Sequence, residues 1–165
     1  GKTSVAEALG AQLDADVVDL DAEIVAAAGK SIAEIFSEGG EICFRDWESS
    51  LLSRVAAGKP AIISLGGGAI LRPENRDLIQ ASGQCVWLDA TVEDVVQRLL
   101  GDQATESQRP GLTGLPMAAE VRQLMENRRP IYADVSDHCV DTTGKSIDQV
   151  ADEIVAWMAK NGSQA

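Results

Sequence analysis

The residues with the clearest chemistry stand at the start of the chain. Gly1-Lys2-Thr3-Ser4 has the sequence of the second half of a phosphate-binding loop, or P-loop. In such a loop, backbone N–H groups at a helix N-terminus bind phosphate oxygens, a Lys reaches the terminal phosphates and a hydroxyl holds Mg²⁺. Lys2 and Thr3 are placed for these two roles, and apolar residues follow at helical spacing. The strand and the first glycine that should precede this motif are missing from the chain.

Two carboxylates follow an apolar run. The segment Val17-Val18-Asp19-Leu20-Asp21 predicts a strand that ends in Asp19 and Asp21. Alternate residues of a strand share a face, so both carboxylates can point into one site near the phosphate loop. The alternative is that they cap the following helix, whose positive dipole end favours carboxylates.

Three successive glycines, Gly66, Gly67 and Gly68, follow a second predicted strand at 61–65. Glycines let a backbone approach a ligand that any side chain would block, or they adopt φ > 0. A plain tight turn is the alternative, but such a turn rarely needs three glycines. The pattern therefore favours a binding loop.

Arginines are informative in a chain with so few basic residues. Arg45 stands one turn after Glu41 and about one turn before Glu48, which on local grounds indicates an ion pair on a helix face. Arg109 lies in a segment from about 101 to 116 that lacks periodicity. A stretch of that length inside a compact domain is typical of a functional loop or lid.

The rest of the chain predicts the frame that must position these residues. Strands are expected at 17–21, 61–65, 85–89 and 138–141. Helices are expected at about 4–13, 22–28, 32–39, 41–57 and 117–129, with others beginning near Pro73, Thr91 and Ser146, and with Pro130 ending the helix before it. Repeated strand and helix indicate a parallel sheet covered on both faces, with ligands at the carboxyl ends of its strands.

Composition favours one α/β domain over residues 1–165. The chain has 165 residues, of which 45% are hydrophobic, and no apolar run approaches the roughly 20 residues that span a bilayer. A net charge of −12 disfavours nucleic acid as a partner, because a phosphate backbone requires a basic face. The three cysteines are far apart, without metal-ligand spacing, which indicates reduced thiols in a cytoplasmic protein.

The ordered set of motifs resembles the shikimate kinase family. The resemblance runs from the first residue to about Asp141, and the set as a whole is specific although no single motif would suffice. The segments that carry it are Gly1-Lys2-Thr3-Ser4, Val18-Asp19-Leu20-Asp21, Gly40-Glu41 with Phe44-Arg45 and Glu48, Ser64-Leu65-Gly66-Gly67-Gly68, Arg109-Pro110 and Arg128-Arg129-Pro130-Ile131-Tyr132.

This resemblance implies a fold and an activity. The fold is a three-layer α/β/α P-loop NTPase like the nucleoside monophosphate kinases, with a central parallel sheet whose first strand is missing here. The activity is transfer of the γ-phosphoryl group of ATP to a ring hydroxyl of shikimate, with Mg²⁺, in aromatic amino acid biosynthesis. A cytoplasmic monomer that binds small molecules is expected, with neither nucleic acid nor membrane as a partner.

The resemblance also implies residue roles. Asp21 is the candidate base, while Lys2 and the lid residue Arg109 serve the transferring phosphate. Thr3 and Asp19 are implied to hold Mg²⁺. Residues implied to bind ATP are Gly1, Lys2, Thr3, Ser4, Arg98, Arg109 and Lys145. Residues implied to bind shikimate are Asp21, Arg45, Gly66, Gly67, Gly68 and Arg128.

Two other functions share parts of this pattern. A different small P-loop kinase, for gluconate or a nucleoside monophosphate, would use the same phosphate machinery, but its acceptor site would need a different arrangement from Arg45, the three glycines and Arg128. A non-catalytic binding module would keep the fold, but it would have no reason to retain the whole set of charged site residues.

Overall fold

A computed structural model of the chain describes residues 1–101 and 116–161. The strands are β1 (Val17–Asp19), β2 (Ile62–Ser64), β3 (Val86–Asp89) and β4 (His138–Asp141). The helices are α1 (Lys2–Leu13), α2 (Leu20–Ala28), α3 (Ile32–Ala56), α4 (Pro73–Ser82), α5 (Val92–Gly101), α6 (Met117–Val135) and α7 (Ile147–Asn161), and a short 3₁₀ turn covers Ala69–Leu71. The predicted alternation of strands and helices is confirmed.

The strands form two parallel pairs. β1 pairs with β2 in the register Val17 to Ile62, and β3 pairs with β4 in the register Val86 to His138. Within the described residues no ladder joins β2 to β3.

Apolar side chains of the helices form two core clusters. The first is centred on α2 and α3 and includes Leu20, Ile24 and Leu51. The second joins α1, β4 and α7, where Val140 and Val150 are almost fully buried. The second cluster packs helices against strands, as an α/β architecture requires. None of the helices in the described parts of the chain is long and apolar enough to cross a membrane.

Local capping signals in the sequence correspond to the observed helix ends. Ser31 and Glu34 form the predicted capping box at the start of α3. Gly29 ends α2 with φ 64°, a left-handed conformation that favours glycine. Gly40 breaks α3 internally at φ 68° and ψ −171°, which confirms the division expected between two helical segments.

The prediction that Pro130 ends its helix is wrong. α6 continues through Pro130 to Val135. A proline inside a helix removes one backbone hydrogen bond, but the residues after it pack against the first core cluster, with Val135 buried and Ile131 and Tyr132 beside it. This packing offsets the loss. The continuous helix places Arg128 and Tyr132, four residues apart, on one face.

Candidate active site

The phosphate motif begins α1, with Gly1 as the residue preceding the helix. Thr3 in its first turn donates a hydrogen bond from Oγ1 to Asp19 Oδ2 at 2.6 Å, and the same hydroxyl lies 3.5 Å from the hydroxyl of Ser64. Asp19 Oδ1 accepts a hydrogen bond from the N–H of Ala22 at 3.1 Å. Asp19 therefore caps α2, as the alternative interpretation predicts, and also contacts the phosphate motif. A hydroxyl and a carboxylate are hard oxygen donors, which suit Mg²⁺.

The strand predicted to carry both acids is shorter than expected. β1 ends at Asp19, and Asp21 lies in the first turn of α2. The shared strand face is therefore a wrong prediction, because the chain turns into a helix one residue after Asp19. The side chain of Asp21 instead approaches the glycine loop, with Oδ1 only 2.9 Å from where a Cβ on Gly66 would stand.

Glu48 faces the same glycine. Its side chain is 1% exposed, and Oε1 lies 3.1 Å from the Cβ position of Gly66 and has no hydrogen-bond partner among the described residues. Burial raises the pKa of Glu48, the nearby charge of Asp21 raises it further, and Arg45 opposes this shift. Gly66 thus makes room for two carboxyl groups that influence each other.

Arg45 is held against the third glycine of the loop. Its Nη1 donates to Glu48 Oε2 at 2.7 Å, while Nη2 and Nε donate to Glu41 Oε1 at 3.2 and 3.3 Å. The guanidinium also lies over the ring of Phe44 at 5.1 Å. A Cβ on Gly68 would overlap the guanidinium, with Arg45 Cζ only 2.5 Å away. The predicted helical ion pair is confirmed, and it also fixes Arg45 against the loop.

Arg128 contacts the middle of the loop. Its Nη1 donates to the carbonyl oxygen of Gly67 at 3.2 Å. Among the described residues, the glycines with positive φ are Gly29, Gly40 and Gly144, so a left-handed conformation does not explain the loop glycines. A Cβ on each of them would instead lie within 3.5 Å of another side chain. A positive φ, the second of the two explanations, therefore does not apply to these glycines, and approach of the loop to a ligand stays a prediction.

Arg98 and Lys145 are expected to bind ATP, and both make side-chain contacts within the described residues. Arg98 on α5 donates from Nη1 to Thr142 Oγ1 and from Nη2 to Thr142 O, both at 3.1 Å, and its Nη1 lies 3.8 Å from the Cβ position of Gly1. Lys145 donates to Glu153 Oε2 at 2.6 Å. Arg109 and most of the expected lid at about 101–116 lie outside the described residues.

Comparison with known proteins identifies the family. A model of the shikimate kinase family matches residues 1–159. Shikimate kinase of Rhodopirellula baltica is 43% identical over 165 residues, covering 100% of this chain and 88% of the relative. The solved structure of shikimate kinase from Acinetobacter baumannii in complex with shikimate superimposes with a TM-score of 0.90 at 30% identity, covering 98% of this chain and 88% of that one. This chain belongs to the shikimate kinase family.

Membership of the shikimate kinase family confirms the resemblance read from the motifs, and with it the P-loop fold and the ATP-dependent kinase activity. A second relative, the shikimate kinase of Ruegeria pomeroyi, is 40% identical over 160 residues, covering 96% of this chain and 80% of the relative. The interpretation as a non-catalytic module loses its support.

Two side chains of the site carry contacts that sequence reasoning missed. Ser64 ends β2, is 7% exposed and lies beside the Thr3 hydroxyl. Tyr132 donates a hydrogen bond from Oη to the carbonyl of Gly67 at 2.7 Å. Tyr132 stood within a motif of the resemblance, but no local signal connects it with a loop 65 residues away. Ser64 also stood within a motif of the resemblance, two residues before Gly66, but no local signal connects it with Thr3.

Proposed function

We propose that this chain transfers the γ-phosphoryl group of ATP to a hydroxyl of shikimate, giving shikimate 3-phosphate in aromatic amino acid biosynthesis. The observation that carries the proposal is the glycine loop, which gathers two guanidinium groups and two carboxyl groups around Gly66, Gly67 and Gly68. A small acid with several hydroxyls calls for cations at one end and carboxylates at the other.

The cationic half of the pocket would bind the shikimate carboxylate. Arg45 and Arg128 present guanidinium groups on two sides of the loop, and the N–H groups of Gly67 and Gly68 have no acceptor within the described residues. Charge-assisted hydrogen bonds are worth about 1.5–3 kcal/mol each, enough to hold an anion on a protein whose net charge is −12. Glu48 would keep Arg45 in place through its 2.7 Å hydrogen bond.

The carboxylate half would bind the shikimate hydroxyls. Asp21 stands beside Gly66 and two residues after Asp19, whose carboxylate contacts Thr3 of the phosphate motif, so Asp21 would accept a proton from the attacking hydroxyl as the candidate base. The proximity of Glu48 matters for this role, since the charge of Asp21 is one of the causes that raise the pKa of Glu48.

The phosphate motif would form the nucleotide site. The backbone of Gly1 to Ser4 and the side chain of Lys2 would bind the ATP phosphates, and Thr3 and Asp19 would hold Mg²⁺, which neutralises phosphate charge when bound. Arg98 and Lys145 would contact adenine. Lys145 must give up its ion pair with Glu153 to do so, whereas Arg98 already lies beside Gly1. Arg109 would close over the transferring phosphate.

The proposed setting is a cytoplasmic monomer acting on shikimate and ATP, with no nucleic acid or membrane partner. Cys43, Cys85 and Cys139 are free thiols, which supports a reducing compartment. The strongly acidic composition supports the absence of a nucleic-acid partner.

An acceptor comparison tests this function. The full-length protein is assayed for ADP release at fixed Mg-ATP with shikimate, gluconate and nucleoside monophosphates in parallel. Release with shikimate alone is the expected result. Release with gluconate or a nucleotide instead would keep the kinase and overturn its acceptor, and no release with any acceptor would overturn the kinase assignment.

A further inference from the structure

The carbonyl oxygen of Gly67 accepts two hydrogen bonds from the same helix. Tyr132 Oη donates at 2.7 Å and Arg128 Nη1 donates at 3.2 Å. Both side chains project from one face of α6, because the helix continues through Pro130. The shorter of the two hydrogen bonds comes from Tyr132, a residue that none of the roles above uses.

The other carbonyls of the loop are fixed within the loop itself. Gly66 O accepts from the N–H of Ala69, and Gly68 O accepts from the N–H of Leu71, both at 3.0 Å. The Gly67 carbonyl, in contrast, depends on side chains from α6. Because a peptide unit is planar and trans, the direction of this carbonyl also sets the direction of the Gly68 N–H.

The ring of Tyr132 is itself held in position. It stacks on Trp87 of β3, with centroids 5.7 Å apart and 28° between the planes. Arg129 lies over the same indole at 5.4 Å and pairs with Asp89 at 3.0 Å. The Tyr132 hydroxyl is therefore presented to the loop by a ring that has little freedom to move.

We propose that Tyr132 is a positioning residue for the acceptor's carboxylate: its hydroxyl fixes the Gly67–Gly68 peptide and, by sharing the Gly67 oxygen, the guanidinium of Arg128. It touches neither reacting atom, and it acts through the N–H of Gly68 and through Arg128. This inference rests on the proposed function, in which the Gly68 N–H and Arg128 bind the shikimate carboxylate.

The variant Tyr132→Phe tests the proposal, since it removes the hydroxyl and keeps the ring on Trp87. Loss of one hydrogen bond is expected to raise KM for shikimate about fivefold, while kcat and KM for ATP change less than twofold, as expected when uniform binding is lost. With the methyl ester of shikimate, the increase should shrink to below twofold because the carboxylate is gone. Ser82→Ala is the matched control, since it removes another hydroxyl-to-carbonyl bond, 2.6 Å to Leu78 O, away from the site.

A second measurement tests the proposal even if Tyr132→Phe folds poorly. Tyr132 is the chain's only tyrosine, so incorporation of 3-fluorotyrosine gives one ¹⁹F resonance at this position. We expect it to shift on titration with shikimate, with a midpoint near the kinetic KM. An unmoved resonance at saturating shikimate, or an unchanged shikimate KM in Tyr132→Phe, would overturn the role of Tyr132 while leaving the proposed function intact. Failure of the unmodified protein to phosphorylate shikimate would overturn both.

Discussion

The most informative single substitution is Gly68→Ala. Gly68 has φ −102°, which alanine adopts without strain, so the backbone can tolerate the change. The added methyl group, however, would occupy space filled by the guanidinium of Arg45. Because that group is the end of a flexible side chain, the arginine moves and the fold remains.

The size of the effect follows from what Arg45 would lose. Its displacement removes a charge-assisted hydrogen bond to the substrate carboxylate, worth about 1.5–3 kcal/mol, which corresponds to about a 10-fold to 150-fold rise in KM for shikimate. The 2.7 Å bond from Arg45 to the buried Glu48 is also disturbed, so we expect the melting temperature to fall by a few degrees. KM for ATP should remain within about twofold, since Thr3 and Asp19 are untouched.

The assay is steady-state ADP release with each substrate varied in turn, alongside thermal unfolding. Gly83→Ala is the matched control, because Gly83 has φ 171° and a Cβ there would meet nothing within 4 Å. A folded Gly68→Ala protein with unchanged shikimate KM would refute the placement of Arg45 in the pocket for the shikimate carboxylate. A parallel rise in both KM values would contradict the separation of the pocket from the nucleotide site.

Three further outcomes are expected. Asp19→Asn should keep the cap on α2, because asparagine also accepts from the N–H of Ala22. The Mg²⁺ concentration for half-maximal activity should nevertheless rise about tenfold. An unchanged Mg²⁺ titration would count against the metal role. Arg98→Ala should raise KM for ATP about fivefold through loss of a cation beside adenine, and a change in shikimate KM alone would argue against that position. Burial raises the pKa of the Cys85 thiol to about 11, so its thiolate fraction at pH 8 is about 0.1%. Iodoacetamide should therefore leave Cys85 unmodified in the folded protein and label it in urea, as measured by mass spectrometry. Equal labelling in both conditions would contradict its burial.

Much of the frame could be predicted because its signals are local. Ser31 with Glu34 and Pro73 mark helix starts, and apolar runs before acids or glycines mark the strands. What could not be predicted depends on tertiary contact. Continuation of α6 through Pro130 requires the core packing of Val135, and no periodicity reveals it. The role of the glycines in making room for side chains likewise became visible only when distant elements met.

The candidate site divides in the same way. Motifs in the sequence predicted which residues form the candidate site. They did not predict the burial of Glu48, since its position on α3 indicated only a helical ion pair. Its carboxyl group is buried because α3 packs against the glycine loop, a contact between segments far apart in sequence. The hydrogen bond from Tyr132 to Gly67 belongs to the same class of information.

The central claim is that Arg45 binds the acceptor's carboxylate. Calorimetric titration of the wild-type protein and Arg45→Ala with shikimate and with its methyl ester tests this claim through a double-mutant type of cycle. Wild type should bind the ester about 10-fold to 150-fold more weakly than the acid. In Arg45→Ala, that difference should fall severalfold, leaving the share held by Arg128. An ester penalty of equal size in both proteins would show that the carboxylate is bound elsewhere and would contradict the account.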